Sequence, residues 1–174
     1  MIYGIKSIQD QGKTLIGVAL LLQLCNLYGY EPAECYGNLV INLKGYHPMT
    51  SQGMRDLMGR MVRERLQHKV LFFDEINRVY PARFWKDQER TQELLTVWQD
   101  EKMFTQIIYT THVGNSVDIL VREATQIILV PRFDKPRDLI TVEVVNSLDL
   151  ECHTEEVRPA SNLFSWYDRW APVE

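Results

Sequence analysis

Residues 7–14 read Ser-Ile-Gln-Asp-Gln-Gly-Lys-Thr and lie between a short apolar segment, residues 1–6, and a long segment rich in leucine. They fit the pattern G-x-x-x-x-G-K-S/T at every fixed position except the first, where Ser7 replaces glycine. In such a loop, the Walker A motif, backbone N–H groups and the positive end of the next helix cradle phosphate oxygens. The stretch therefore predicts a strand, a phosphate-binding loop and a helix, in that order.

The side chains of this loop have separate expected roles. Lys13 would reach the β- and γ-phosphates of a nucleotide, and the Thr14 hydroxyl would hold Mg²⁺. Asp10 places a carboxylate in an anion-binding loop, so we expect it to point to solvent and to weaken nucleotide affinity. Taken alone, the pattern could also be an ordinary strand–turn–helix. The residues predicted to bind the nucleotide are Ser7, Asp10, Gln11, Gly12, Lys13 and Thr14.

A second motif strengthens the nucleotide-binding interpretation. Residues 70–75 read Val-Leu-Phe-Phe-Asp-Glu, an apolar strand that ends in two acids and matches the Walker B pattern. At the carboxyl end of a parallel strand, both acids would lie beside the phosphate loop. Asp74 would bind Mg²⁺ through water, and Glu75 would polarise the water that attacks the γ-phosphate. A P-loop kinase does not need such a glutamate, so the pair favours ATP hydrolysis.

Strand-like and helix-like segments alternate along the chain. Apolar strands separated by helices imply a mostly parallel sheet with helices on both faces. We therefore predict an α/β fold, the P-loop NTPase three-layer sandwich, with an antiparallel edge hairpin near the C-terminal end, and a single domain over residues 1–174. The predicted strands are 1–6, 39–43, 70–73, 107–111, 127–130 and 139–145, and the predicted helices are 13–28, 50–67, 85–102 and 117–123.

Composition excludes several classes of protein. The 174 residues are 45% hydrophobic and 24% charged, which argues against a disordered chain, a fibre or a disulfide scaffold. A net charge of −4 argues against coating nucleic acid through bulk charge, although a local basic face is compatible with it. Three widely spaced cysteines without a C-x-x-C pair indicate neither a zinc site nor an oxidised framework, so we expect a reducing, cytoplasmic setting.

The apolar segment 14–30 is the one candidate for membrane insertion. It carries no charge, but it is shorter than the roughly 20 apolar residues that a spanning helix needs, and Gln23 and Asn26 interrupt it. We therefore predict a buried helix and no membrane contact.

From the Walker B acids onward, the chain resembles the FtsK–HerA superfamily of DNA-pumping ATPases, particularly its Zot-like and viral genome-packaging branch. Residues 73–83, Phe-Asp-Glu-Ile-Asn-Arg-Val-Tyr-Pro-Ala-Arg, are similar to the family's "DEA…P-x-R" arrangement. Residues 107–112 resemble its strand with a polar end, with His112 in place of the usual glutamine. Residues 117–122 follow its "D-x-x-x-R" pattern, and residues 164–170 are similar to an "F-x-x-Y-D-T-x-E" segment of some packaging members.

This resemblance implies an Mg²⁺-dependent ATP hydrolase that translocates double-stranded DNA, most directly in viral genome packaging. It implies a homo-oligomeric ring, a portal or capsid protein as docking partner, and a setting in the host cytoplasm or the virion. Arg122 resembles the family's arginine that completes a neighbouring subunit's site, and Arg83 is the second candidate. The candidate catalytic residues are Lys13, Glu75, Thr111, His112 and Arg122, and the candidate metal ligands are Thr14 and Asp74.

Less specific interpretations stay open beside these. Thr111 and His112 should end a strand next to the Walker B strand, but His112 could be an ordinary loop histidine. Arg122 could be a surface residue paired with Glu123 or Asp118. Other functional classes are a small kinase, a Zot-like virion assembly ATPase and a nucleotide binder that does not hydrolyse.

A basic helix face is the candidate DNA contact. Arg55, Arg60 and Arg63 fall within about 140° of helical arc, opposite the apolar side chains of the same segment. Lys44 and Lys69 are near in sequence. Such a face would hold DNA phosphates without reading sequence, or it could simply be solvated.

Overall fold

A computed structural model describes residues 1–80, 96–98, 104–112 and 119–167 of the chain. Strands and helices alternate over most of this length, as the sequence pattern predicts. The elements are β1 (Ile2–Ser7), α1 (Lys13–Tyr28), β2 (Cys35–Gly37), β3 (His47–Pro48), α2 (Ser51–Glu64), β4 (Val70–Phe73), α3 (Ile76–Val79), β5 (Gln106–His112), α4 (Ile119–Ala124), β6 (Ile127–Asp134), β7 (Leu139–Asn146) and β8 (Cys152–Val157), with 3-10 helices at Pro32–Glu34, Lys135–Arg137 and Ala160–Trp166.

The strands of the described ranges form one sheet in the order β3-β2-β4-β5-β1-β6-β7-β8. The pairs from β3 to β6 are parallel, whereas β6–β7 and β7–β8 are antiparallel. This confirms the predicted α/β fold with an antiparallel C-terminal edge, to which β8 adds an unpredicted strand. Because β5 lies between β1 and β4, the carboxyl ends of all three meet at one edge of the sheet, where open α/β sheets bind ligands.

Two apolar cores lie on the two faces of the sheet. Side chains alternate along β4, so Phe72 packs in the core that contains α1, whereas Leu71 and Phe73 pack in the core that contains α2. Gly17 allows α1 to approach closely, since a Cβ there would lie 2.3 Å from the ring of Phe72. No helix in the described ranges is long and apolar enough to cross a membrane.

One predicted strand is wrong. The apolar run 39–43 is not a strand of the sheet; the strand at this place is β2, and Ile41 makes only an isolated bridge to Tyr167. Leu39 and Ile41 are 8% and 6% exposed, so their apolar character reflects burial of a loop. By contrast, α1 has the predicted bounds. The predicted helix 85–102 lies outside the described residues except for 96–98, which are helical.

Candidate functional site

A cleft of about 950 Å³ opens at the carboxyl edge of β1, β4 and β5. Its walls bring together the phosphate loop, both Walker B acids and the end of β5, so the two sequence motifs form one site. The lining includes Gly12, Lys13, Thr14, Asn38, Asp74, Glu75, Arg78, Thr110 and His112.

The phosphate loop requires glycine at position 12. Gly12 adopts the left-handed conformation with φ of 82°, and a Cβ there would lie 2.9 Å from the Cδ1 atom of Ile140. Gly12 is also the residue before α1, and it provides no side-chain hydrogen bond to the N-terminus of the helix. The first N–H groups of α1 are therefore available to an anion.

Two residues of the predicted nucleotide-binding loop use their side chains to anchor the loop to β6. The buried hydroxyl of Ser7 donates a 2.9 Å hydrogen bond to the carbonyl of Pro131. The side-chain oxygen of Gln11 accepts a 3.1 Å hydrogen bond from the backbone N–H of Phe133. A phosphate could therefore contact the backbone amides of Ser7 and Gln11 but not their side chains. Asp10 is exposed, as expected, with a left-handed φ of 59°.

Lys13 is buried inside the loop that it follows. Its Nζ atom donates a 2.7 Å hydrogen bond to the carbonyl of Ile8 and lies 3.4 Å from Nδ1 of His112. Burial lowers the pKa of Lys13, and the carboxylates of Glu75, Asp74 and Asp10 oppose that shift. The ammonium group is thus held where the loop curves around it.

Thr14 and Asp74, the two predicted metal ligands, are in direct contact. The Thr14 hydroxyl donates a 3.0 Å hydrogen bond to Oδ1 of Asp74, and the Thr110 hydroxyl donates a 2.8 Å hydrogen bond to the same oxygen. Burial raises the pKa of Asp74, although the hydrogen bonds from Thr110 and Thr14 act in the opposite direction. A buried carboxylate beside a hydroxyl therefore marks a place where a cation would be favourable.

The donor set fits Mg²⁺. A threonine hydroxyl and a single carboxylate are hard oxygen ligands, and Mg²⁺ takes its other ligands from water and substrate phosphates. Consistent with that mode, the described residues contain no group of three His, Cys, Asp or Glu side chains that could hold a metal alone. Thr14 and Asp74 are the residues that would hold the ion.

Asn38 is a site residue that the sequence motifs did not reveal. Its side-chain nitrogen donates a 2.7 Å hydrogen bond to the carbonyl of Asp74, and its side-chain oxygen accepts a 2.6 Å hydrogen bond from the Asp74 N–H. This pair of bonds fixes the backbone at the end of β4. Its sequence signal is weak, because a lone asparagine in a loop has many roles.

Glu75 is held from three sides. Its backbone has a left-handed φ of 51°, and its N–H donates a 2.8 Å hydrogen bond to the Thr110 hydroxyl. One carboxylate oxygen lies 2.5 Å from Nε of Arg78, and the other lies 3.4 Å from Nε2 of His112. The carboxylate is therefore positioned at the cleft, next to the polar end of β5.

His112 links the lysine to the glutamate. The Lys13 ammonium can only donate a hydrogen bond, and an ionised Glu75 can only accept one. A neutral imidazole with its proton on Nε2 satisfies both neighbours, and we assign that tautomer from the network.

Of the two threonines at the end of β5, the structure brings Thr110 to the Walker B acids. Thr111 is 2% exposed, and its hydroxyl lies 3.4 Å from the carbonyl of His112. Because side chains alternate along a strand, neighbouring threonines face opposite ways. Thr110 thus faces the Walker B acids, and the catalytic role of Thr111 stays a prediction.

The candidate arginines lie apart from the cleft or outside the described residues. Arg122 is exposed on α4, does not line the cleft, and lies close enough to Lys6 to lower that residue's pKa together with the larger effect of burial. Arg83 lies outside the described residues. The assignment of a trans-acting arginine stays a prediction.

The predicted basic face divides into two parts. Arg55 donates a 2.7 Å hydrogen bond to the carbonyl of Val79 and two more to the side chain of Gln52. Its guanidinium therefore stabilises the packing of α2 against α3. Arg60 and Arg63 are exposed, and Arg60 pairs with Glu64 at 3.4 Å.

Comparisons with solved structures give the same fold. The N-terminal domain of zonular occludens toxin from Neisseria meningitidis is 14% identical, with a TM-score of 0.68 over 96% of this chain and 98% of that chain. The genome packaging NTPase from Sulfolobus turreted icosahedral virus 2, in complex with sulfate, is 8% identical, with a TM-score of 0.64 over 88% of this chain and 95% of that chain. A KaiC-like protein from Pyrococcus horikoshii OT3 is 13% identical, with a TM-score of 0.53 over 89% and 82%.

At these identities the structural likeness shows the fold alone, that of P-loop NTPases. No curated protein matches the chain. The sequence profile of the zonular occludens toxin (Zot) family matches residues 6–158, which is well over half of the chain. The chain therefore belongs to the zonular occludens toxin (Zot) family.

Proposed function

We propose that this protein is an Mg²⁺-dependent ATP hydrolase that moves double-stranded DNA, acting as a homo-oligomeric ring. The supporting observation is the cleft in which the Lys13 ammonium, the Thr14–Asp74 pair and the Glu75 carboxylate meet. A cation, a metal-binding pair and a proton acceptor beside an open helix N-terminus are what hydrolysis of a nucleoside triphosphate requires.

The hydrolytic step assigns a task to each group. The β- and γ-phosphates of ATP lie on the amides of the loop, and Lys13 contacts their oxygens. Thr14 and Asp74 would hold Mg²⁺, which would neutralise charge on the phosphates. Glu75 accepts a proton as water attacks the γ-phosphorus; a new P–O bond forms, the bond to the β–γ bridging oxygen breaks, and ADP and phosphate leave. His112 contacts Lys13 and Glu75 through its two ring nitrogens and thereby holds these two side chains in position.

The DNA part of the proposal is supported by resemblance and by exposed charge. The structurally similar viral protein is a genome packaging NTPase. Arg60 and Arg63 are exposed on α2 and could hold DNA phosphates in a ring lumen, whereas Arg55 is committed to Val79. Arg122 would complete the neighbouring subunit's site, and a portal or capsid protein would dock the ring in the host cytoplasm or the virion.

A second candidate function is virion assembly that does not act on DNA. Membership of the Zot family, shown by the match over residues 6–158, is compatible with it. Hydrolysis is common to both candidates, so dependence on DNA separates them.

The discriminating experiment measures ATP turnover with and without double-stranded DNA, at low and moderate salt. A translocase should hydrolyse faster with DNA, and the stimulation should weaken as salt rises because counterions compete for the phosphates.

The arginine variants test the DNA contact. Arg60→Ala and Arg63→Ala should each reduce the slope of DNA affinity against salt concentration by the amount expected for about one lost phosphate contact. Arg158→Ala, at an exposed position next to β8, is the matched control. Turnover that ignores DNA would instead support the assembly role.

A further inference from the structure

The cleft extends beyond the phosphate loop to a pair of aromatic rings that the hydrolytic mechanism does not use. Phe133 on β6 and Phe164 in the 3-10 helix Ala160–Trp166 both line it, with ring centroids 6.2 Å apart and planes tilted by 54°. Phe133 adjoins the loop directly: its N–H is bound by Gln11, and its Cβ atom lies 3.9 Å from where a Cβ on Gly12 would be. The aromatic pair is therefore continuous with the phosphate-binding surface.

The backbone that carries Phe164 is fixed, although its ring is not buried. The N–H of Ala160 donates a 3.0 Å hydrogen bond to the carbonyl of Asp138, and Ser161 donates both its N–H and its hydroxyl to the Asp138 carboxylate. At the other end of this 3-10 helix, the Trp166 carbonyl accepts a 2.6 Å hydrogen bond from Asn42. The Phe164 ring is nevertheless 48% exposed. A solvent-exposed aromatic ring that lines a polar cleft can stack against a planar ligand.

We propose that Phe164, packed on Phe133, is the stacking platform for the base of the bound nucleotide. This inference rests on the proposed function, because it takes the triphosphate to lie on residues 7–14 and the base to lie on the aromatic pair that adjoins this loop. The volume of about 950 Å³ is within the range of small-molecule sites.

Stacking also determines which nucleotides the site accepts. Every base has a π-face, so stacking on a ring tolerates different bases. Phe133 and Phe164 have no side-chain donors or acceptors with which to read a base edge. The aromatic pair should therefore favour purine nucleotides over pyrimidine nucleotides through ring size, and by itself it provides no discrimination between ATP and GTP.

The test separates the base from the phosphates by using ATP and inorganic tripolyphosphate as probes of the full chain with Mg²⁺. Phe164→Ala should weaken ATP binding about tenfold, equivalent to about 1.4 kcal/mol, and leave tripolyphosphate binding unchanged. Phe164→Trp should retain ATP binding. Leu148→Ala, which truncates an 81% exposed side chain in the turn after β7, is the matched control.

The outcomes distinguish this inference from the proposed function. If the parent binds ATP but Phe164→Ala binds it equally well, or if the variant loses both probes to the same degree, the stacking assignment is overturned. If Phe164 matters for ATP binding but Glu75→Gln turns over normally, the hydrolytic assignment fails and the base site stands. If the parent binds neither probe, both fail.

Discussion

The hydroxyl of Thr14 lies 3.0 Å from a carboxylate oxygen of Asp74, which joins the first turn of α1 to the end of β4 across 60 residues of sequence. The two motifs follow β1 and β4, which lie on either side of β5 in the sheet, so their carboxyl ends are close together. The hydroxyl of Thr110 on β5 binds the same carboxylate oxygen of Asp74. The pair that we propose as Mg²⁺ ligands is thus assembled by the fold, and Asn38 fixes the backbone of Asp74.

The ionised Asp74 carboxylate should lower the free energy of unfolding at neutral pH. Because burial raises its pKa, the folded state holds the proton more tightly than the unfolded state does, so ionisation costs stability as pH rises above the ordinary aspartate pKa of about 3.9. Asp74→Asn should therefore raise the melting temperature at neutral pH and abolish turnover. Thermal melts across pH should show the gain shrinking as pH falls towards about 3.9 and vanishing below it. Asp56→Asn, which changes an exposed carboxylate on α2, is the control, and a lower melting temperature for Asp74→Asn at neutral pH would contradict the assignment.

Replacement by alanine should destabilise the folded protein more at Gly12 than at Gly29, the glycine that ends α1. Both Gly12 and Gly29 have positive φ, so alanine at either costs about 1–2 kcal/mol in backbone strain. Only at Gly12 would the new Cβ meet Ile140, at 2.9 Å, whereas nothing lies within 4 Å at Gly29. Urea denaturation should show the larger loss for Gly12→Ala, and Ile140→Val should recover part of the difference. Equal losses at the two glycines would remove the packing argument.

Arg122, exposed on α4, should act on a neighbouring subunit. Neither Arg122→Ala nor Glu75→Gln alone should turn over at the parental rate. Mixed rings should recover activity, because an Arg122→Ala subunit keeps an intact cleft that a Glu75→Gln neighbour completes. An arginine of this kind contributes a factor of about 10³–10⁵ in well-studied cases. Mixing Lys13→Ala with Glu75→Gln is the control that should stay inactive, and the absence of recovery at any ratio of Arg122→Ala to Glu75→Gln would argue against action in trans.

The thiols of Cys35 and Cys152 should differ in reactivity. Cys25 and Cys35 lie with their sulfur atoms 3.4 Å apart, and that hydrogen-bond contact, together with burial, raises the pKa of Cys35. Cys152 is exposed on the edge strand β8. Mass spectrometry after iodoacetamide treatment should find Cys152 labelled in the folded protein and Cys35 labelled only when the protein opens. Labelling of Cys35 as fast as Cys152 under native conditions would contradict this environment.

The phosphate loop and the Walker B strand were predictable because their residues act through local geometry. The start of α1 at Lys13 follows from a glycine that takes a left-handed turn, and the burial of Phe72 and Phe73 follows from an uninterrupted apolar run. Their meeting at one edge of the sheet follows from parallel strand pairing.

Other features depend on register and on tertiary packing, which a single sequence does not encode locally. Whether Thr110 or Thr111 faces Asp74 is decided by the alignment of β5 with β4, and a shift of one residue would exchange them. The run around Ile41 has the composition of a strand but fills a buried loop. Asn38 and Phe164 acquire their roles only when distant segments meet.

Turnover by Glu75→Gln tests the central claim most directly. The variant should bind ATP as the parent does and lose at least about a hundredfold in turnover, because removing a general base typically costs 10²–10⁴-fold. Lys13→Ala should lose binding as well, and Glu156→Gln, an exposed change on β8, should behave as the parent. Turnover by Glu75→Gln equal to that of the parent would show that hydrolysis, if it occurs, does not use this carboxylate.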